Sequence, residues 1–396
     1  LTIRMAMGAP LMAARGYSAS ELHQSYDRAH QLCLALDTAP ALFPILFGLS
    51  LYFLARSELQ AAGPLVARCV MAARAARDDE LLLESCCLAG PAQVYRGRFA
   101  AARRVLARGL ALYRPELHRD HAARFGQDPM LVLGFIARVE AMLGRLAEVG
   151  RHVAALHAWL RDSDARPSSV ALLHAQLAHA RLLLREPSAA LDHAETLVEV
   201  SAQHGLPLWL GLGRMYRGAG SVQAGLIAGD PAAIGRGLAD GGEGLAMYRA
   251  TGAQLDVPTC LCWLAAGSLR LGDRDAASHQ LGEARRVIAA TGQTYFAAEV
   301  ERLTGELRLA GGDPDPAAAR GRLAAAMAIA RRQGARLLEL RAAVRLAGLA
   351  PEPGQPEPAR LRLRSLLDGF PAGEACRDAE EGRAVLAGWA PPPRAP

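Results

Sequence analysis

Helix breakers recur along the chain at a nearly constant distance, and each is followed by an alanine-rich run with helical spacing. The stretches that begin at Gly97 (GRFAAA), Gly144 (GRLAE), Arg185 (REPSAA), Gly229 (GDPAA), Gly272 (GDRDAA) and Gly312 (GDPDPAA) are variants of one punctuation. Glycine accepts the left-handed conformation that ends a helix, Asp or Ser caps the first amides of the next, and Pro fits its first turn. The pattern predicts helix starts near residues 18, 58, 99, 146, 187, 230, 273, 315 and 356, a period of about 42 residues. Between them lie more uniformly apolar helices, for example Met130–Leu143, Val170–Leu184, Leu206–Leu226 and Pro258–Leu271.

The capped helices carry one apolar stripe. Leu22, Tyr26, Ala29, Cys33 and Leu36 follow i, i+4, i+7, i+11, i+14, and Ala277, Leu281, Ala284 and Ile288 repeat its first four terms. Ala319, Leu323, Ala326 and Ala330 do the same, and Ala190, Ala194, Leu197 and Ser201 nearly so. Alanine at these positions lets paired helices approach to about 8 Å. A single hairpin cannot bury both faces, whereas stacked hairpins share a continuous core. The fold class expected is therefore all-α, an α-solenoid of stacked antiparallel helical hairpins of the tetratricopeptide type. The expected body is bowed, roughly 90 Å along its path, with each unit touching mainly its neighbours. The repeats are expected over residues 1–350. A proline-rich break and C-terminal capping helices, including Ala359–Leu367, follow over 351–390, and a disordered tail over 391–396.

Composition narrows the chemistry. A chain of 396 residues that is 51% hydrophobic and 21% charged is too apolar for disorder. Its few β-branched residues oppose strands. No lysine occurs, so all 45 basic residues are arginine, which excludes a Walker A phosphate loop, a protein-kinase strand lysine and Schiff-base chemistry. The net charge of +6 is spread among neighbouring acids, with no run of five like charges, so no nucleic-acid partner is expected. No apolar run reaches the roughly 20 residues that span a bilayer, and the first residues show no n-region, h-region and cleavage-site pattern, so no signal peptide is expected. A cytoplasmic protein is expected. Its abrupt start at Leu1 suggests the downstream part of a longer product.

Several runs carry a resemblance. They are YRATGA from Tyr248, GQTYFAAEVERLTGELRL over Gly292–Leu309, and AIARRQGARLLELRAAVRLAGL over Ala328–Leu349. His118-Arg119 followed by FGQDP from Phe125, and ALFPILFGL from Ala41, belong with them. Together they resemble the C-terminal tetratricopeptide-like region of bacterial multidomain signalling proteins. In that family an adenylate/guanylate cyclase or kinase domain and an AAA/STAND ATPase domain precede the repeats. The resemblance covers about Leu1 to Leu349 and contains no catalytic motif. It implies a non-catalytic sensor or protein-interaction arm that regulates attached nucleotide-handling domains, with a protein partner or a small effector. Any cyclase or ATP-binding ATPase activity would belong to upstream domains. A free-standing scaffold is the remaining alternative.

Candidate contact residues follow from local density. The insertion from Arg114 to Asp128 holds His118, Asp120, His121, Arg124, Gln127 and Asp128, the densest polar cluster in the chain. It suits a ligand, nucleotide or partner contact, or else a structural loop in which Asp128 caps the helix after Pro129. Trp209 and Tyr216, with Tyr248, Trp263, Tyr295 and Phe296, concentrate in the later repeats and either line a concave groove or pack between hairpins. No catalytic, cofactor or metal residues are assigned. His23 and His30 lie about 10 Å apart along a helix, too far to chelate one ion. Cys86-Cys87 and the Cys260/Cys262 pair lack zinc spacing and read as buried thiols.

Overall fold

The computed structural model describes residues 11–12, 16–35, 39–118, 125, 128–162, 165–311, 314–349, 358–371 and 376–387. These residues form nineteen helices and no strand. The outer series is α1 (Ser20–Ala35), α3 (Leu59–Ala76), α5 (Phe99–Leu112), α8 (Leu146–Asp162), α10 (Pro187–Gln203), α12 (Pro231–Ala250), α14 (Arg274–Thr291), α16 (Pro316–Gln333) and α18 (Pro358–Leu367). The inner series is α2 (Ala39–Ala55), α4 (Asp79–Tyr95), α7 (Leu131–Met142), α9 (Pro167–Leu184), α11 (Pro207–Ala228), α13 (Val257–Arg270), α15 (Ala297–Leu309) and α17 (Arg336–Ala347). A short α6 (Pro115–His118) follows α5, and α19 (Arg377–Leu386) ends the described chain. Every outer helix starts within two residues of its expected position.

The turns are built as the punctuation implies. Gly229, Gly292 and Gly334 end their helices at φ of 69°, 73° and 71°. The carboxylate of Asp230 accepts from the amides of Ala232 and Ala233, that of Asp273 from Ala276, and that of Asp315 from Ala318. Asp78 caps α4 in the same way.

The two series differ in how they are buried. On α14 only Ala277, Leu281 and Ala284 are buried, a single stripe. On α9 nearly every residue from Ala171 to Leu183 is buried. A helix apolar all round belongs in the interior of a larger body. The inner series therefore forms an enclosed lining and the outer series a solvated shell.

The lining is closed along a seam, which departs from the open, bowed body expected from the repeats. Successive superhelical turns touch. The Gln254 amide donates to Ala55 O (3.0 Å), and the Tyr295 amide donates to Tyr95 O (3.1 Å). Thr294 Oγ1 donates to Arg96 O across 198 residues of sequence, and Arg185 pairs with Asp378 across 193. At about 42 residues per repeat, one superhelical turn takes somewhat under five hairpins. The cause is chemical: the turn backbones at Ala55, Tyr95 and Arg96 hold unused carbonyls, and the turns before α13 and α15 supply the donors. Leu363, Leu366, Phe370 and Cys376 are buried in the same core, so α18 and the residues after it extend the stack. The proline-rich stretch 351–357 and the tail 391–396 lie outside the described residues. No helix among the described residues is long and apolar enough to cross a membrane.

Candidate functional site

Six inner elements send a polar side chain to one place in the core. Arg138 of α7 is 1% exposed and is the largest fully buried side chain among the described residues. Its guanidinium lies over the Phe135 ring at 5.2 Å and pairs through Nη1 with Asp256 Oδ2 at 3.2 Å. The same carboxylate oxygen accepts from Tyr216 of α11 (2.9 Å) and from Tyr95 at the end of α4 (3.0 Å). Arg138 Nη2 donates to the Tyr216 hydroxyl at 3.2 Å. His179 of α9 spans two phenols, with Nδ1 3.1 Å from the Tyr216 hydroxyl and Nε2 3.0 Å from that of Tyr295.

The hydrogen count and the burial of His179 together fix the proton positions. Tyr216 gives its one proton to Asp256, so it accepts from His179 Nδ1–H, and His179 Nε2 accepts from Tyr295. That is a neutral imidazole. Burial pushes His179 down to about 3, and Arg138 adds to the effect. Burial pushes the Asp256 carboxyl up, yet the Arg138 charge and the two phenol hydrogen bonds draw it down, and the acid stays below its usual range. Asp256 also sits at φ 59°, a left-handed position that L residues rarely take. It occupies the cap position of α13 without capping it, because its carboxylate is turned to Arg138.

Above this network lies a cavity of about 100 Å³. Leu51 and Leu54 of α2, Leu172 of α9, Leu208, Trp209 and Leu212 of α11, and Tyr248 of α12 give it an apolar wall. Tyr17 meets Trp209 edge-on at 6.0 Å on its margin. Arg138, Asp256 and Gln176 line it too, beside the tyrosines Tyr17, Tyr95 and Tyr248, and each of the three keeps a buried atom without a partner: Nε, Oδ1 and Oε1. Gln176 is 2% exposed. Buried polar atoms are nearly always hydrogen-bonded, so three lapses around one cavity are informative.

The residues expected from sequence separate into two groups. Trp209 lines the cavity and Tyr216 belongs to the network beneath it. Tyr248 is also in the lining, whereas Trp263 and Tyr295 pack against His179, and Phe296 packs against both of them. His118 and Asp128 are not in the lining. His118 is buried, and its Nδ1 accepts from the Arg114 amide at 2.8 Å. Asp128 Oδ1 accepts from the Met130 amide at 2.9 Å, inside the turn before α7, whose own cap position is Met130. Asp120, His121, Arg124 and Gln127 lie outside the described residues. Sequence reasoning missed Arg138, Asp256, Gln176, His179 and Tyr95. A signal existed for three of them: Arg138, Gln176 and His179 interrupt otherwise apolar inner helices, where a polar side chain needs a buried partner.

Two other clusters offer less. Glu140, Glu148 and His152 approach within 4.8 Å of one another. Glu140 is already held by Arg103 at 2.7 Å and Arg145 at 2.9 Å, so guanidinium charge stands where a cation would bind. All seven cysteines are buried thiols, and burial raises Cys86 to about 11 and Cys260 to about 12, which makes them poor nucleophiles.

His157, His174 and His193 meet across α8, α9 and α10, with ring separations of 5.3 Å from His193 to each of the others. Burial pushes His174 and His193 down to about 4, from an ordinary value of 6.5. Between those values the unfolded chain binds more protons than the folded one, so stability falls as pH drops through that window. The urea midpoint should therefore decline from pH 7 to pH 5, and His174→Gln should reduce that decline. An identical pH slope in the variant would show that these rings do not set it.

No family model and no curated protein matches the chain. Among solved structures it is similar to a Rap protein complexed with competence and sporulation factor. The TM-score is 0.60 at 11% identity, over 98% of this chain and 96% of that one. At this identity the likeness shows the fold, a tetratricopeptide-like helical repeat. Two weaker likenesses have scores too low to carry an argument. One is to aspartyl phosphate phosphatase F from Bacillus subtilis, with TM-score 0.46 and 10% identity over 98% of this chain and 95% of that one. The other is to a signal transduction ATPase with a tetratricopeptide repeat sensor from Pyrococcus horikoshii. There the TM-score is 0.41 at 15% identity, over 94% of this chain and 53% of that one.

Proposed function

We propose that this chain is the non-catalytic sensor arm of a cytoplasmic signalling protein, with its effector seated in the central cavity. One observation carries the reading: the cavity straddles the seam. Leu51, Leu54 and Tyr95 come from early hairpins, whereas Tyr248 and Asp256 come from hairpins one superhelical turn later. An effector there touches both sides and so favours the closed arrangement over one with the seam parted. Such differential affinity is what a regulatory ligand requires.

The titratable groups at the cavity support a binding role over a catalytic one. Arg138 and Asp256 are spent on each other and His179 is held neutral between two phenols. The attached nucleotide-handling domains, a cyclase or an ATPase, rest on the resemblance of the repeat runs at Tyr248, Gly292 and Ala328. The same likeness favours a protein surface on those domains as the second partner. Deleting residues 1–349 from the complete protein should alter the regulation of nucleotide turnover. Unchanged turnover together with an unchanged response to inputs would sink the reading.

A further inference from the structure

The chemistry of the cavity also defines its occupant. We propose that it binds a neutral, single-ring molecule with a carboxamide or lactam edge, in which one carbonyl acceptor sits beside N–H donors. This deepens the effector reading above and rests on it.

Size comes first. An apolar cavity of about 150 Å³ takes up benzene. The cavity here is about 100 Å³, with Trp209, Tyr248 and Phe135 among its walls. That is smaller than the benzene cavity but open on one side, so a single ring seats part of itself inside, whereas a nucleotide or a folded peptide is not enclosed.

Charge comes second. Arg138 and Asp256 are paired at 3.2 Å, so the polar end carries no net charge. An anionic ligand that approaches Arg138 meets the Asp256 carboxylate, and a cation that approaches Asp256 meets the guanidinium. Each would need desolvation with only partial compensation. A neutral ligand has no such penalty.

The hydrogen-bonding edge comes third. Gln176 is buried and its Oε1 is unpaired, and no hydrogen bond joins its amide to any described residue. It is nonetheless fixed in place: a Cβ at Gly134 would lie 2.4 Å from Gln176 Cγ, so α7 packs directly on this side chain. A carboxamide is self-complementary with another amide edge, giving N–H and taking C=O. Arg138 Nε, an unpaired donor, and Asp256 Oδ1, an unpaired acceptor, belong to residues of the same lining. The residues thus present both roles around a ring-sized apolar volume.

The full chain can be titrated with benzamide, benzoate, benzamidine and toluene, and followed by calorimetry and ligand-observed NMR. Benzamide should bind roughly ten-fold or more tightly than each of the other three, because a site built for hydrogen bonds rejects analogues that leave its groups unpaired. Gln176→Met should remove about ten-fold of benzamide affinity and leave toluene unchanged. Leu212→Phe should fill the cavity and abolish binding of every probe while the thermal melt stays cooperative.

Benzoate or benzamidine equal to benzamide would overturn the neutral assignment. Toluene equal to benzamide would show an idle polar edge. No binding by any probe up to about 10 mM would leave water as the occupant and overturn the site itself. These failures are distinct from that of the sensor reading. Benzamide binding without any effect of the arm on turnover refutes regulation alone, whereas regulation by an arm that ignores benzamide refutes the site alone.

Discussion

Asp256→Ala should lower the stability of the chain by about 3–5 kcal/mol, the cost of stranding a buried charge by deleting its partner. Three groups lose their acceptor at once: Arg138, Tyr95 and Tyr216. Arg138 is 1% exposed and cannot turn to water. The backbone adds to the loss, because Asp tolerates the left-handed position at φ 59° better than Ala does. Asp256→Asn should fall between the two proteins, since it keeps an acceptor oxygen and the tolerance for positive φ but leaves the guanidinium uncompensated. The double variant Arg138→Met/Asp256→Asn should lose less than the sum of its parts, because removing both charges also removes the buried-ion penalty. Urea unfolding followed by circular dichroism and by tryptophan fluorescence would check this, two probes being needed because repeat arrays can unfold in stages. A loss below about 1 kcal/mol in the alanine variant would mean that water already reaches Arg138.

The contrast between legible and hidden features follows from range. Hairpin period, helix starts and the stripe at Leu22, Tyr26, Ala29 and Cys33 are set by neighbours within a few turns, and all four of those residues are buried. Caps at Asp230, Asp273 and Asp315 are more local still. The Arg138–Asp256 pair spans 118 residues and the Tyr95–Asp256 bond 161, so both depend on superhelical pitch, which no local pattern encodes. Asp256 was further disguised: an Asp two residues before Pro258 reads as an ordinary cap, and only its left-handed backbone reveals another use. Trp209 and Tyr216 were visible as an aromatic concentration, but not the fact that one lines a cavity and the other braces the charge below it. The polar insertion before Pro129 stood out by density, and its described members, His118 and Asp128, serve the local backbone. Close helix approach was expected from alanine, yet glycine provides it where α11 meets α12.

That contact supplies the second large effect. Gly211, Gly218 and Gly225 recur every seven residues on α11 and meet the start and body of α12 at Tyr248, at Gly237 and Gly241, and at Asp230 and Ile234 respectively. A Cβ on Gly218 would lie 2.4 Å from Gly241 N, 2.5 Å from its Cα and 2.6 Å from Gly237 O. All three are backbone atoms inside helices, so no rotamer change can relieve the clash and the two axes must part. Separation would disturb Leu208, Trp209 and Leu212 on the cavity side of α11 as well. Gly218→Ala should therefore destabilise by about 2–3 kcal/mol, toward the upper end for overpacking, even after the helix-propensity gain of about 1 kcal/mol. The controls sit on the partner helix. At Gly235 and Gly242 of α12 a Cβ would find nothing within 4 Å, so alanine there should keep the propensity gain and stabilise by roughly 0.5–1 kcal/mol. Opposite signs for the same substitution, one on α11 and the other on α12, are what direct backbone contact requires. A Gly218→Ala chain as stable as its Gly235→Ala counterpart would mean that the helices stand further apart, and the interior would then be wider than a single ring needs.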